Sequence, residues 1–306
     1  MRITHKTMNN NMLRNLNNGL RRMDTHQQQL ASGKRVQLPS DDPAVVGSIL
    51  GRKSSIAETR QYVKNLDDAI SWLDATDSAF DSVTSVIHRV RELTVYGAND
   101  ALGDQDRQAL ASEVRELSEN VLELANVSIG GRYVFSGQKT QTRPFAKVDA
   151  ADPFSVEYRG AKEPEHVDVR LEVGVGTEMA INLIDVDADG NEQIFLPIFA
   201  ALESIHTNLM ASDSESLGTT DLEAMDTVLN TVLRYRAEAG AKVNRLEMGR
   251  ERLLDLELNL VQLLSGDQDV DVAEAIMHLK AEENVYRTAL SVGARIIQPS
   301  LVDFLR

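Results

Sequence analysis

Apolar residues recur at alternating spacings of three and four near both ends of the chain. The N-terminal pattern runs through Leu13, Leu16, Leu20, Met23, Gln27 and Leu30. The C-terminal pattern runs through Val272, Ile276, Leu279, Glu283, Tyr286, Leu290, Gly293 and Ile297, with Leu301 and Phe304 beyond it. This spacing aligns one apolar stripe per helix, and such a stripe needs another helix to cover it. Both ends are therefore predicted to be helices that require a partner.

Two long stretches without proline separate these ends. None occurs between Pro43 and Pro144, or between Pro197 and Pro299. Because proline inside a helix costs roughly 3 kcal/mol, both stretches predict long helices. The three-four spacing continues in the first at Ile56, Thr59, Val63, Leu66, Ile70, Leu73, Asp77, Phe80, Thr84 and Ile87. After a loop at 99–104 it resumes at Leu110, Val114, Leu117, Val121 and Leu124, and the second stretch repeats it from Leu222 to Leu260.

The middle of the chain alternates like β structure. Apolar and polar residues alternate from Val167 to Val175, the period of a half-buried strand. Segments 181–186 and 193–196 flank Asp189-Gly190 and predict a hairpin. Gly130-Gly131 predicts a shorter hairpin among the helices.

The predicted fold is mainly α: a coiled-coil bundle of long helices built from both ends of the chain, with a small inserted β domain. The predicted parts are an N-terminal assembly helix (1–40), two halves of a helical rod (41–144 and 199–264), the β domain (145–198) and a C-terminal assembly helix (265–306). Asp41-Asp42-Pro43 supplies helix-start residues after the first terminal helix. Ser265-Gly266 predicts the end of the long helix, with acids opening the last one.

Charge and composition narrow the class of partner. The formal charge of −15 argues against nucleic acid, because phosphate binding needs a basic face. Up to residue 40 the only acid is Asp24 among seven Lys and Arg, whereas the chain from Asp267 is acidic, so the terminal helices are oppositely charged. Most of these charges are expected to be solvated, since exposed pairs contribute only about 0–1 kcal/mol. Neither a signal-peptide apolar region nor a membrane-spanning stretch is found. With no cysteine, disulfides and thiolate chemistry are excluded.

No catalytic, cofactor or metal site is predicted. Asp185, Asp187, Asp189 and Gly190 begin like a calcium-binding EF-hand loop, but Leu196 occupies the position that needs a glutamate. A carboxylate-rich turn accounts better for them, and weak calcium binding stays open. The six histidines are scattered without metal-ligand spacing, and no spacing indicates a catalytic triad.

Several separated motifs resemble bacterial flagellins and their hook-associated relatives. They are Leu30-Ala31-Ser32-Gly33-Lys34-Arg35-Val36, Pro39-Ser40-Asp41-Asp42-Pro43-Ala44, Asn244-Arg245-Leu246-Glu247, Asp269-Val270-Asp271-Val272-Ala273-Glu274-Ala275 and the ending from Gln298 to Leu305. Within this family the ending and segment 65–77 look more like the subunits of the hook–filament junction than like filament subunits.

The resemblance implies a structural subunit that catalyses nothing and is exported unfolded to the outside of the cell. It implies a ring of copies of this chain between a hook-side junction protein and flagellin, and an export chaperone on the C-terminal region. The candidate assembly interface comprises Leu13, Leu16, Leu20, Met23, Leu30, Val272, Ile276, Leu279, Tyr286, Leu290, Ile297, Leu301 and Phe304. Three alternatives stay open: filament flagellin, a secreted enzyme using Asp185, Asp187 and Glu192, and a calcium-responsive surface protein.

Overall fold

The computed structural model describes residues 5–149, 152–187 and 191–297. The helices are α1 (His5–Ser32), α2 (Pro43–Gly97), α3 (Asp104–Ala125), α4 (Pro164–Val167), α5 (Phe195–Ala211), α6 (Ser214–Ser216), α7 (Leu222–Gln268) and α8 (Val272–Ile297), with a π-helical segment at Leu217–Asp221. The strands are β1 (Ser128–Ile129), β2 (Arg132–Tyr133), β3 (Phe145–Lys147), β4 (Val156–Tyr158), β5 (Arg170–Gly174) and β6 (Thr177–Ala180). Helices hold 71% of the residues, which confirms the mainly-α prediction.

The chain divides into two compact units. Residues 1–58 and 256–306 form the first, here called the terminal unit. Residues 59–255 form the second, here called the central unit. Helices α2 and α7 have residues in both. The five-part division expected from the sequence stays a prediction.

The core of the central unit follows the predicted spacing on the long helices. Along α2, Leu66, Leu73, Phe80 and Ile87 are almost fully buried. From α7 the core receives Met225, Val232, Ala239 and Leu246, which are seven residues apart, the sum of one three-residue and one four-residue step. Stripes of this kind give each helix one continuous apolar face, and burying these faces together stabilises the bundle.

An aromatic cluster ties the strands to this helical core. The ring of Phe135 lies 5.3 Å from that of Phe80 on α2 and 4.8 Å from that of Phe195 on α5. Phe145 on β3 lies 5.2 Å from Phe195 and 5.3 Å from Tyr158 on β4. Such pairs contribute about 0.5–1.5 kcal/mol each beyond their burial. The short strands are therefore held by aromatic packing rather than by a wide sheet.

The strands form three separate antiparallel pairs in the described residues: β1 with β2, β3 with β4, and β5 with β6. The first confirms the hairpin predicted at Gly130-Gly131. Both glycines have positive φ, of 56° and 79°, which a type I′ hairpin turn requires at both central positions.

The two strands predicted at 181–186 and 193–196 are not formed. Only one isolated bridge joins Val186 to Glu192, and 188–190 lie outside the described residues. Phe195 and Leu196 begin α5 instead. The buried Glu192 carboxylate accepts hydrogen bonds from the backbone N–H groups of Ile194, Phe195 and Leu196 at 2.7, 2.6 and 3.1 Å. Those donors are the ones that a helix start leaves unsatisfied, so the side chain favours a helix here.

Candidate assembly surface

Helices α1 and α8 of the same chain pack antiparallel in the terminal unit. The sequence interpretation placed their partners on neighbouring subunits, and for the faces that this pairing leaves exposed it stays a prediction. The packed face overlaps the predicted stripe only in part. Partly or fully buried positions are Asn9, Met12, Leu16, Gly19, Met23, His26, Gln29 and Leu30 on α1, and Ala275, Leu279, Glu282, Glu283, Tyr286, Ala289 and Gly293 on α8.

Glycine allows a close approach at one end of this pair. A Cβ placed on Gly293 would lie 1.4 Å from Cε and 2.6 Å from Sδ of Met12. The Met12 side chain therefore occupies the space that any larger residue at position 293 would need. Gly293 stood in the predicted stripe, whereas Met12 did not.

Polar groups join the same two helices further along. The Arg22 guanidinium donates two hydrogen bonds to the Glu282 carboxylate, at 2.7 and 3.0 Å. This bond lowers the pKa of Glu282. The rings of His26 and His278 stack with centroids 5.6 Å apart. The oppositely charged helices thus form at least one direct ion pair. From the sequence alone, most of these charges are expected to be solvated.

The two segments that link the terminal helices to α2 and α7 bind each other. We call 33–42 and 265–271 the elbows. The N–H of Arg35 donates to the carbonyl of Gln268 at 2.7 Å, and the N–H of Val270 donates to the carbonyl of Gly33 at 3.0 Å. Val36 and Gln268 are buried there. The first and fourth flagellin-like motifs therefore form one structural feature.

Side chains hold the elbows to the adjoining helices. Asp267 accepts hydrogen bonds from the Ser48 hydroxyl at 3.0 Å and from the Arg52 guanidinium, and these bonds lower its pKa. Asp42 accepts from the N–H groups of Ala44 and Val45, which caps α2 as predicted. The predicted end of the long helix at Gly266 is wrong, because α7 continues to Gln268. The carbonyl of Ser265 accepts from the N–H of Asp269, so the last turn is completed past the glycine.

The predicted interface residues fall on two faces of this helix pair. Leu16, Met23, Leu30, Leu279 and Tyr286 are partly buried. Leu13, Leu20, Val272, Ile276 and Leu290 are between 43% and 55% exposed. For Ile297 no side chain is described, and Leu301 and Phe304 lie outside the described residues. We call the exposed set the outer stripe. Of the ten predicted interface residues whose side chains are described, five are partly buried within one chain, and the five of the outer stripe are left exposed.

The acids considered for an enzyme or calcium site serve the fold. Asp185 accepts a hydrogen bond from the Tyr235 hydroxyl at 2.7 Å. Asp187 accepts from the backbone N–H of Asn191 and the side chain of Gln193, at 2.8 and 3.0 Å. Glu192 caps α5, and Asp189 lies outside the described residues. No cluster of three metal-binding side chains occurs in the described parts of the chain. Of the helices described there, none combines the length and apolarity needed to cross a membrane.

Comparison with known proteins identifies the class. Residues 3–140 match the model of the bacterial flagellin N-terminal helical region. The chain is 28% identical over 310 residues to flagellar hook-associated protein 3 of Escherichia coli strain K12, covering 94% of this chain and 95% of that protein. It is 28% identical over 288 residues to flagellin of Bacillus subtilis strain 168, covering 90% and 89%. The chain therefore carries a flagellin-type N-terminal helical region and is similar to flagellar proteins over nearly its whole length.

A solved structure supports the same fold. FlgL of Bacillus cereus superposes with a TM-score of 0.57 at 22% identity, covering 70% of this chain and 99% of that one. The relatives are flagellar structural proteins, and similarity to them over nearly the whole chain supports a structural role in the flagellum rather than an enzymatic one.

Proposed function

We propose that this chain forms the junction ring between hook and filament, outside the cell, and that its outer stripe packs against neighbouring subunits. Similarity to hook-associated protein 3 over 94% of the chain supports the junction assignment. The observation that carries the assembly step is the outer stripe itself. It remains exposed after α1 and α8 have covered their facing sides, and exposed apolar stripes of this size mark protein interfaces.

The rest of the terminal unit supports this proposal. Only Val36, Ile49, Ile56 and Ala275 are buried apolar residues there, among those described. Exposed large apolar side chains continue on α7 at Leu256, Leu258 and Leu263. A unit with so little core gains most of its stability from association.

Similarity to flagellar proteins supports the partners of this proposal. The ring would contact a hook-side junction protein on one side and flagellin on the other. Before export, the uncovered apolar side chains of α8 would promote aggregation. An export chaperone is therefore expected to bind the C-terminal region. Secretion without a cleaved signal peptide belongs to this proposal.

The test compares outer-stripe variants with a matched control. Ile276→Asp/Leu290→Asp places charges on the outer stripe, while Leu233→Asp changes an equally exposed leucine of the central unit. We expect the double variant to lose at least about tenfold in self-association by sedimentation, because buried charges oppose packing. In a bacterium that lacks the chain, it should also fail to attach filaments. Normal assembly and attachment by the double variant would refute the proposal.

Filament flagellin is the second candidate, supported by the similarity to the Bacillus subtilis protein. Seeded growth separates the two. Indefinite polymerisation of this chain alone from filament seeds would favour flagellin, whereas addition of a limited layer favours the junction ring.

A further inference from the structure

A groove on the central unit carries two unpaired arginines. It has a volume of about 520 Å³ and lies between α2, the β5–β6 pair and α7. Its apolar lining includes Leu66, Met179 and Leu246, all of them buried. Arg245 and Arg252 line it from α7. We call it the arginine groove.

The two arginines of this groove differ from Arg250 in their ion pairing. Arg250, which lies between them on α7, binds Asp67 at 2.6 Å. Within the described residues, Arg245 and Arg252 have no ion-pair partner, and no lining residue is acidic. Arginine beside an apolar pocket is typical of residues that dominate interfaces. The lining therefore complements a surface that combines an apolar side chain with nearby carboxylates.

The other end of the central unit presents such a surface. Val95, Tyr96 and Met210 are 51–56% exposed there. Segments 95–106 and 208–216, which contain them, hold five carboxylates and no lysine or arginine: Asp100, Asp104, Asp106, Asp213 and Glu215. We call this surface the acidic end.

Contacts within the acidic end hold the two segments side by side. The Ser212 hydroxyl donates to Asp104 at 2.9 Å, and the Ser214 hydroxyl donates to Asp100. The nearest following cation, Arg107, is buried, and its guanidinium donates to the carbonyls of Gly97 and Asn99 at 3.2 and 3.0 Å. It therefore contributes little positive potential at the surface.

One chain cannot bring these two surfaces together. The groove lies near Gly249, and the acidic end lies next to the start of α7 at Leu222. The straight run of helix between them is roughly 40 Å at 1.5 Å per residue. A ring of identical subunits needs two different, complementary patches on every subunit. We propose that the arginine groove of one copy receives the acidic end of a second copy.

This inference rests on the ring of the proposed function and specifies which two surfaces meet between neighbouring subunits. Tyr96 or Met210 would fill the apolar floor, while the carboxylates approach Arg245 and Arg252. Opposite potentials would also steer the two copies into this orientation and reject groove-to-groove contact.

Cysteine cross-linking tests the contact directly, because the chain has no cysteine of its own. Thr177→Cys lies in the groove and Ala101→Cys in the acidic end. Full-length single variants are mixed and oxidised with copper phenanthroline. We expect a mixed disulfide dimer at least about tenfold above that of Ala101→Cys with Val148→Cys, an exposed control outside both surfaces. A yield no higher than this control would overturn the inference.

Charge reversal supplies the second arm. Arg245→Glu/Arg252→Glu in the Thr177→Cys chain should abolish the excess dimer, with helicity by circular dichroism unchanged. Asp106→Lys/Glu215→Lys in the Ala101→Cys chain should restore it. Undiminished cross-linking of the arginine variant would also overturn the inference.

Complementation distinguishes this failure from failure of the proposed function. If the wild-type chain attaches filaments and the arginine variant does so equally well, the groove contact is wrong and the junction role stands. If the wild-type chain attaches none, the junction role fails whatever the cross-linking shows.

Discussion

Glu192 is a carboxylate that is only 2% exposed, inside a chain with many solvated acids. Burial raises its pKa to about 7, although hydrogen bonds from three backbone N–H groups favour the charged form. In the unfolded chain the group is solvated and titrates near 4.5. Its proton is therefore bound more tightly in the folded state, and folding is linked to pH at this residue.

The sign of this linkage gives a prediction. Between about pH 4.5 and 7 the folded chain binds more protons at Glu192 than the unfolded chain does. This contribution to stability is therefore complete at acid pH and is lost as the pH rises through 7. We expect Glu192→Gln to remove roughly 2–3 kcal/mol of pH dependence from the free energy of unfolding. Urea unfolding of both proteins from pH 5 to pH 8 measures it, and parallel curves would contradict it.

Gly293 gives a second prediction at this scale. Gly293→Leu should destabilise the α1–α8 pair by about 1–3 kcal/mol, because the new side chain needs the volume of Met12. Gly47→Leu is the control, since a Cβ there meets no atom within 4 Å. Hydrogen exchange of α1 should accelerate in the first variant only. Equal protection in both would mean that Met12 relocates without cost.

At the scale of elements, the elbows decide where the terminal helices go. Their backbone groups pair with each other, and Asp267 adds bonds to α2. Neither feature follows from helix periodicity, because the contacts are backbone pairings and polar side-chain bonds between groups more than 200 positions apart in sequence.

Asp267→Ala tests the elbow. The change removes the acceptor of the Arg52 and Ser48 bonds and should weaken the elbow, although solvent screening at this partly exposed site limits the effect. Trypsin should then cut after Lys34 or Arg35 several times faster. Asp24→Ala, which loses only a bond from Gln28 on its own helix, should leave this rate unchanged. Unaltered cleavage of the Asp267 variant would contradict the assignment.

At the scale of the whole molecule, the two units differ in how much they bury. The central unit holds the aromatic cluster and nearly all of the fully buried side chains, whereas the terminal unit holds few. Local stability increases with the amount of buried apolar contact, so the terminal unit should unfold locally more readily than the central unit.

Hydrogen exchange of the free chain can show this difference. We expect amides of α1 and α8 to exchange at least about tenfold faster than those in the central part of α2, around Leu73 and Phe80. Assembly should slow α1 and α8 selectively if neighbours cover the outer stripe. Equal protection of all these helices in the free chain would contradict the assembly-coupled stability of the terminal unit.

Periodicity predicted the central helices well. Leu66, Leu73 and Phe80 were placed on the buried face of α2, where the structure has them. The reason is physical: a long amphipathic helix has one way to bury its apolar face. On α1 the same reasoning identified only part of the face that packs against α8. There Leu13 and Leu20 suggested a packed face, but Gly19 and Met12 occupy it. A glycine adds nothing to an apolar periodicity, and its contribution to packing depends on which side chain of the other helix lies against it.

The sequence by itself determined the helical class, the α2 start at Pro43, the hairpin at Gly130-Gly131 and the resemblance to flagellar proteins, because these depend on local preferences and on motifs in order. Only the tertiary structure decided that α1 pairs with α8, that the elbows bind each other, and that Glu192 starts a helix rather than a strand. Each of these is a contact between groups whose partner is set by packing in space. The outer stripe and the arginine groove became visible only then, because an unused surface is defined by what the rest of the chain has already covered.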